Sequence, residues 1–252
     1  MDTSFNPFSL CGKKILVTGA SSGIGRAIAV SCSKMGADVI LTARNETRLK
    51  ETLSMMPFGE HQIVPADLTL PEDIERLSTA IPKLNGFVQC AGVGSRVFCK
   101  ALDKAAIDYV MRPNLEAPVL LQAAILSKKK IDKGASVVYI ASRAYDSPSI
   151  GNAIYSASKG AIISYAKCLA LELAPRQIRV NCICPAMIWT DLIIQDGLTR
   201  EELEEAQLKY PLKRYGQPDD VANLAIYLLS DASTWMTGSA IDLSGGGEGT
   251  LT

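Results

Sequence analysis

Apolar residues along this chain arrive in short runs, each followed by a longer segment in which they recur every three or four positions. The short runs, at 14–18, 39–42, 61–66, 86–90, 136–141, 179–183 and 240–243, read as buried strands. The periodic segments predict helices at 26–35, 46–54, 102–110, 114–127, 153–174 and 218–230. Pro71 opens a further helix, with Ile74, Leu77 and Ile81 on its apolar face. A polar stretch over 191–214 breaks the alternation and is helical in part, at 200–209. Strands alternating with helices predict an α/β fold: a doubly wound parallel sheet of about seven strands with helices on both faces. No repeat and no linker longer than a turn interrupts the pattern, so a single domain is expected over 1–252.

Composition narrows the class. Of 252 residues, 48% are hydrophobic, enough for a sizeable core and against disorder. Twenty-six basic residues balance twenty-six acidic ones, which leaves no global footprint for nucleic acid. Seven scattered cysteines without a C-x-x-C pair, and the single His61, predict no metal site and no disulfide framework. Cys182 and Cys184 fall on one face of a strand as buried thiols. The first ten residues lack a basic n-region and an apolar h-region, and no uncharged apolar stretch approaches the length of a span. No membrane partner and a cytoplasmic location are therefore expected.

Chemistry concentrates in two places. Gly19-Ala20-Ser21-Ser22-Gly23-Ile24-Gly25 joins the first strand to the first helix. Gly19 suits a tight turn, Gly23 a close approach of backbone to a diphosphate, and Gly25 close packing of helix on strand. The helix N-terminus offers N–H groups to phosphates. The spacing is G-x-x-x-G-x-G rather than G-x-G-x-x-G, yet its position is that of a Rossmann-type cofactor turn. At the end of the second strand stands Arg44, where an acid would bind a ribose 2′-hydroxyl. A guanidinium there fits a 2′-phosphate, which points to NADP(H) over NAD(H); the alternative is an Arg exposed only because it follows a strand.

The second place is 142–159. Tyr155 and Lys159 stand one turn apart on one helix face, and an ammonium beside a phenol favours the phenolate. Ser142 emerges at the end of the preceding strand, beside them in the chain. Most such Tyr–Lys pairs are merely solvated neighbours, so the pattern alone decides little.

Read together, these residues identify a family. The chain resembles the single-domain short-chain dehydrogenases/reductases over nearly its whole length. The motifs are T-G-A-S-S-G-I-G (18–25), A-D-L (66–68), C-A-G (90–92), Asn114 in N-L-E-A-P, I-A-S (140–142), Y-S-A-S-K (155–159), V-N-C-I-C-P-A-M-I-W-T (180–190) and T-G-S-A-I-D-L-S-G-G (237–246). The general pattern is most similar to 3-oxoacyl-[acyl-carrier-protein] reductases. The resemblance implies that Tyr155 is the general acid in reduction and Lys159 the holder of the nicotinamide ribose and of the phenol's acidity. It implies that Ser142 binds the substrate carbonyl and that Asn114 holds a water in a proton relay. Asp67 and Leu68 are implied at the adenine, Ala91 and Gly92 along the cofactor, and Pro185, Ile188 and Thr190 at the nicotinamide and diphosphate. For three of these a plainer reading stays open: Asn114 as a helix cap, Asp67 as a turn residue and Thr190 as a cap.

The chain departs from the family pattern in three ways. The usual N-N-A-G reads Gln89-Cys90-Ala91-Gly92, Ala186 replaces a glycine after Pro185, and Arg143 follows Ser142 as either a substrate contact or a solvent-facing charge. The expected activity is reduction of a ketone to a secondary alcohol, on a 3-oxoacyl thioester that an acyl carrier protein presents. The alternatives are a sugar, polyol or other small-alcohol dehydrogenase, and, more remotely, a cofactor-binding regulator without catalysis, which the intact Asn114, Ser142, Tyr155 and Lys159 oppose. Lys128-Lys129-Lys130 and Arg176 are candidates for carrier contact, or simply favourable charges at a helix C-terminus. Residues 191–214 read as a mobile lid, and the resemblance implies a homotetramer.

Overall fold

The computed structural model describes residues 5–57, 59–194 and 199–247. Seven parallel strands form one sheet: β1 (Lys14–Thr18), β2 (Asp38–Thr42), β3 (Gln62–Ile63), β4 (Leu84–Gln89), β5 (Ile131–Ile140), β6 (Arg179–Pro185) and β7 (Ala240–Leu243). Their order is β3-β2-β1-β4-β5-β6-β7, so the chain winds outward from β1 to one edge, returns, and winds outward to the other. The reversal lies between β1 and β4, whose C-terminal ends open the crevice in which such sheets bind ligands. The helices are α1 (Gly23–Lys34), α2 (Glu46–Ser54), α3 (Pro71–Ala80), α4 (Lys104–Met111), α5 (Ala117–Ser127), α6 (Ala153–Leu173), α7 (Asp191–Ile194), α8 (Arg200–Ala206) and α9 (Pro218–Leu229).

Both faces of the sheet are covered, which is why its strands read as continuous apolar runs. Leu16, Phe87, Val137, Tyr139 and Val180 pack with α3, α5 and α6 on one side. Their strand neighbours Ile15, Val17, Val88, Val138 and Ile183 pack with α1 and α9 on the other. Cys182 and Cys184 share the first of these cores, as their spacing predicts. Among the described residues no helix is long and apolar enough to cross a membrane.

Two elements differ from the sequence expectation. The strand expected at 61–66 is confined to Gln62–Ile63, because the His61 ring takes the Val39 N–H through Nδ1 (3.1 Å). Beyond it, Val64 and Ala66 still donate to Leu41 and Ala43. The expected break between the helices at 102–110 and 114–127 is instead one π-helical turn, Arg112–Glu116, that joins α4 to α5. Pro113 sits inside that turn.

Candidate active site

Helix α6 carries Tyr155 and Lys159 against the leaving end of β5. Lys159 is buried, and its Nζ donates to the Ile140 carbonyl at 2.9 Å. The same Nζ lies 5.8 Å from the centroid of the Tyr155 ring. Ser142 stands two residues beyond that carbonyl, and its Oγ accepts from Ala144 N (3.1 Å). Its own proton therefore remains free to donate. Arg143 bonds Asp242 of β7 and lies 3.3 Å from Asp146. It is neither solvent-facing alone nor free: it fastens the turn behind Ser142 to the sheet.

Asn114 lies inside the π-helical turn, so it is not a helix cap. Its Oδ1 accepts from Val93 N (2.8 Å), and its Nδ2 donates to Val93 O (3.0 Å) and Ser158 Oγ (3.2 Å). These bonds stitch the segment after β4 to α5 and α6. Gly92 lies at the seam: a Cβ there would stand 2.9 Å from Asn114 Oδ1 and 3.6 Å from Lys159 Nζ. Asn114, Tyr155 and Lys159 are thus brought together, with Ser142 at the adjoining strand end.

The glycine turn lies beside this cluster. Thr18 Oγ1 accepts from Cys90 N (3.0 Å) and Ala91 N (3.1 Å), which draws the exits of β1 and β4 together. Gly19, with φ +68°, fits here because a Cβ would press within 3.0 Å of Ala91 backbone. A Cβ on Gly25 would overlap the Gly19 carbonyl, so α1 can start this close to β1 only with glycine. At Gly23, φ +52°, a Cβ would meet Thr190 Cγ2 at 3.3 Å. Ser22 precedes α1 without a side-chain cap bond, and the first turn, with Gly23, Ile24 and Gly25, carries no acid. Ser21 contributes its carbonyl to Arg26 Nη2 (2.6 Å). Uncapped N–H groups behind a glycine cradle fit a diphosphate.

The adenosine end fits as well. Arg44, Pro65, Ala66, Asp67, Asp73 and Arg76 line an open depression of about 240 Å³. Arg76 is engaged with Pro65 O and Asp73, whereas exposed Arg44 projects beside them. Asp67 does serve as a turn residue, its Oδ1 accepting from Thr69 N and Oγ1, while its own N–H goes to Asp73 Oδ2. That bond and Arg76 hold the Asp73 carboxyl below its usual range. Leu68, next in the chain to Asp67, packs against the core. Pro185 closes β6, Ile188 is buried, and Thr190 Oγ1 donates to Ile188 O (3.3 Å). Ala186 donates to Leu243 O (3.0 Å) and does not adopt a left-handed backbone, so alanine in place of glycine carries no strain.

Sequence reasoning missed several supports. Gln89, buried, donates to Pro118 O (2.9 Å) and Tyr139 OH (3.3 Å), and Tyr139 OH donates to Gln122 Oε1 (3.2 Å). Burial pushes the Cys90 thiol up to about 12 despite the opposing Lys159 charge, which leaves it protonated and inert beside the crevice. Of the two readings of the basic run at 128–130, its placement agrees with charges at a helix C-terminus. Lys128 pairs with Glu75, Lys130 donates to Thr79 O and Ile81 O, and Arg176 bonds Ile131 O at the entering end of β5. Ser142 follows the opposite end of that strand, so these charges do not surround the crevice.

Comparisons with known proteins agree with this architecture. A family model described as enoyl-(acyl carrier protein) reductase matches residues 19–248. The 3-oxoacyl-[acyl-carrier-protein] reductase FabG of Rickettsia felis is 35% identical over 94% of this chain and 97% of its own length. The chain belongs to the short-chain dehydrogenases/reductases. This family comprises oxidoreductases that act on CH–OH and C=O groups with a nicotinamide cofactor. Another short-chain relative, the L-xylulose reductase of Caenorhabditis elegans, is 32% identical over 95% of this chain and 97% of its own. Among solved short-chain enzymes, levodione reductase superposes with a TM-score of 0.88 at 26% identity, covering 94% of this chain and 97% of that one. A protein described as an NAD(P)-dependent gluconate 5-dehydrogenase from Beutenbergia cavernae, solved with NADP at low occupancy, gives 0.87 at 28%, covering 96% and 98%.

Proposed function

We propose that this chain reduces a ketone to a secondary alcohol with NADP(H), and that its substrate is a 3-oxoacyl thioester. The observation that carries the reading is the buried Lys159 ammonium, tied to Ile140 O and set beside the Tyr155 ring. Bound nicotinamide would supply the hydride; the protein must supply a proton and hold the carbonyl. Tyr155 donates that proton to the carbonyl oxygen, and the Ser142 O–H donates a second hydrogen bond to the same atom as negative charge develops. Lys159 spends one N–H on Ile140 O and keeps the others for the ribose hydroxyls and the relay. Asn114 holds the relay water. Gly19, Ser21, Ser22, Gly23, Ile24, Gly25, Ala91, Gly92, Pro185, Ile188 and Thr190 line the cofactor, with Asp67 and Leu68 at the adenine and Arg44 at the 2′-phosphate. One domain contains all of this, 191–214 closes over it as a lid, and the protein works as a cytoplasmic homotetramer. Of that lid, 195–198 lie outside the described residues.

Thioester reduction rests on the likeness to the reductases of acyl-carrier substrates. A sugar or polyol substrate is the second reading, favoured by the likeness to L-xylulose reductase and by the pairing of Lys128 and Lys130 with α3 groups, away from the crevice. NADPH and NADH titrations test the cofactor: NADPH should bind at least tenfold tighter, about 1.4 kcal/mol, and Arg44→Ala should erase the gap. Equal or tighter NADH overturns the Arg44 assignment. A 3-oxoacyl thioester assayed beside free L-xylulose then decides the substrate, and Tyr155→Phe should abolish whichever activity is found.

A further inference from the structure

Two successive carbonyls of the glycine turn are held by side chains from α1 and α2. Arg26 donates from Nη2 to Ser21 O (2.6 Å) and from Nε to Thr52 Oγ1 of α2 (3.0 Å). The same Nη2 lies 3.0 Å from Glu51 Oε2 and 3.4 Å from Arg48 O. Thr52 is fully buried, and its hydroxyl has one proton to give. Ala20 O, at 2.9 Å, is a nearer acceptor for it than Arg48 O of its own helix, at 3.1 Å. The guanidinium sits in the first turns of α1, where the helix dipole disfavours a cation, so its bonds rather than its charge account for its place.

The carbonyl and the N–H of one trans peptide point in opposite directions, and the described chain has no cis peptide. Ala20 O shares its peptide with Ser21 N–H, and Ser21 O shares its peptide with Ser22 N–H. Pinning both oxygens against α1 and α2 therefore turns two successive N–H groups to the open side of the turn. Among the described residues neither N–H donates a hydrogen bond. Successive N–H groups of this kind form a concavity that suits an anion. Ala20 N donates to Thr42 O (3.3 Å), so the turn abuts the end of β2, two residues before Arg44.

We propose that Arg26 and Thr52 are positioning residues that set selectivity for NADP(H), by aiming the Ser21 and Ser22 N–H groups at the 2′-phosphate that Arg44 receives. This rests on the NADP(H) reading given above. Neither residue touches the cofactor. Donors fixed in advance lose little freedom when the phosphate arrives, whereas NADH, with a hydroxyl in its place, gains less from them.

Fluorescence titrations of NADPH and NADH on the parent, Thr52→Val, Thr52→Ser and Arg26→Met test this without any substrate. Valine has the shape of threonine but leaves Ala20 O without its donor; serine keeps the hydroxyl. Thr52→Val and Arg26→Met should each bind NADPH about tenfold more weakly and NADH within about twofold of the parent. Thr52→Ser should keep the parent's ratio. Adenosine 2′,5′-bisphosphate and AMP, titrated by calorimetry, should show the same split, which assigns the effect to the adenosine end. A loss shared equally by NADPH and NADH would make both residues supports of the fold alone, and overturns the proposal. Thr52→Val, matched in shape to the parent, decides the matter if Arg26→Met does not fold. The parent separates the failures. A preference for NADPH that survives Thr52→Val sinks the proposal by itself, whereas a parent without that preference overturns the NADP(H) reading and the proposal with it.

Discussion

Replacing Gly23 by alanine probes the cofactor cradle at one atom. With φ +52°, a Cβ costs about 1 kcal/mol in backbone strain. The added methyl also lies 3.3 Å from Thr190 Cγ2, closer than comfortable packing allows. The fold should survive, because the strain is small beside a typical domain stability of about 5–15 kcal/mol. NADPH affinity should fall at least tenfold, and Thr190→Ser, which deletes that γ-carbon, should restore part of it in the double variant. An unchanged Kd in Gly23→Ala would show that the cradle is not where the diphosphate binds. Gly23 and the Tyr155–Lys159 pair were legible in the sequence because local spacing defines them. Gln89, Thr18 and the Ile140 carbonyl were not, because each acts through a bond to a distant segment that only packing brings near.

Between elements, an ion pair joins the segment after β2 to the segment after β6. Arg48 of α2 reaches Asp191 at the start of α7 with 2.9 Å between Nη2 and Oδ2. Both side chains are largely exposed, so the pair adds under about 1 kcal/mol to stability. Its position matters more, since Asp191 adjoins Thr190, which packs on Gly23. Arg48→Ala should leave the melting temperature within about 2 °C, yet speed NADPH dissociation several-fold in stopped-flow fluorescence. The difference should fade in 0.5 M salt, where exposed charges are screened. Equal off-rates at low salt would show that the pair does not restrain the cofactor. Periodicity revealed the helices themselves, α6 and α9 almost to the residue. It misplaced what side chains and prolines override: the edge strand β3, where His61 replaces a ladder bond, and the α4–α5 junction, where Pro113 bends a helix without ending it.

For the molecule as a whole, the alternation of runs gave the sheet but not its asymmetry in pH, which depends on depth of burial. On the acid side, Asp73 is held low by the Asp67 N–H and Arg76, and Asp220 by Arg214. A carboxyl lowered on folding stabilises above its unfolded value near 3.9 and is lost as pH falls through the folded one. On the alkaline side, burial pushes Cys32, Cys90 and Cys182 up to about 12 and Cys184 up to about 11. A thiol raised on folding stabilises fully below its unfolded value near 8.5, and that contribution drains away as pH climbs toward the folded one. Between those limits each such thiol removes up to about 1.4 kcal/mol per pH unit. Melting temperature should therefore form a plateau from about pH 5 to 8 with a steep alkaline fall. Cys182→Ala isolates the cause: the small cavity lowers the plateau, but the slope above pH 8.5 should be shallower than in the parent. Parallel alkaline slopes in parent and variant would mean that Cys182 does not ionise on unfolding in this range, and the fall would have to come from other groups that burial holds protonated, such as Cys32, Cys90, Cys184 or Tyr139.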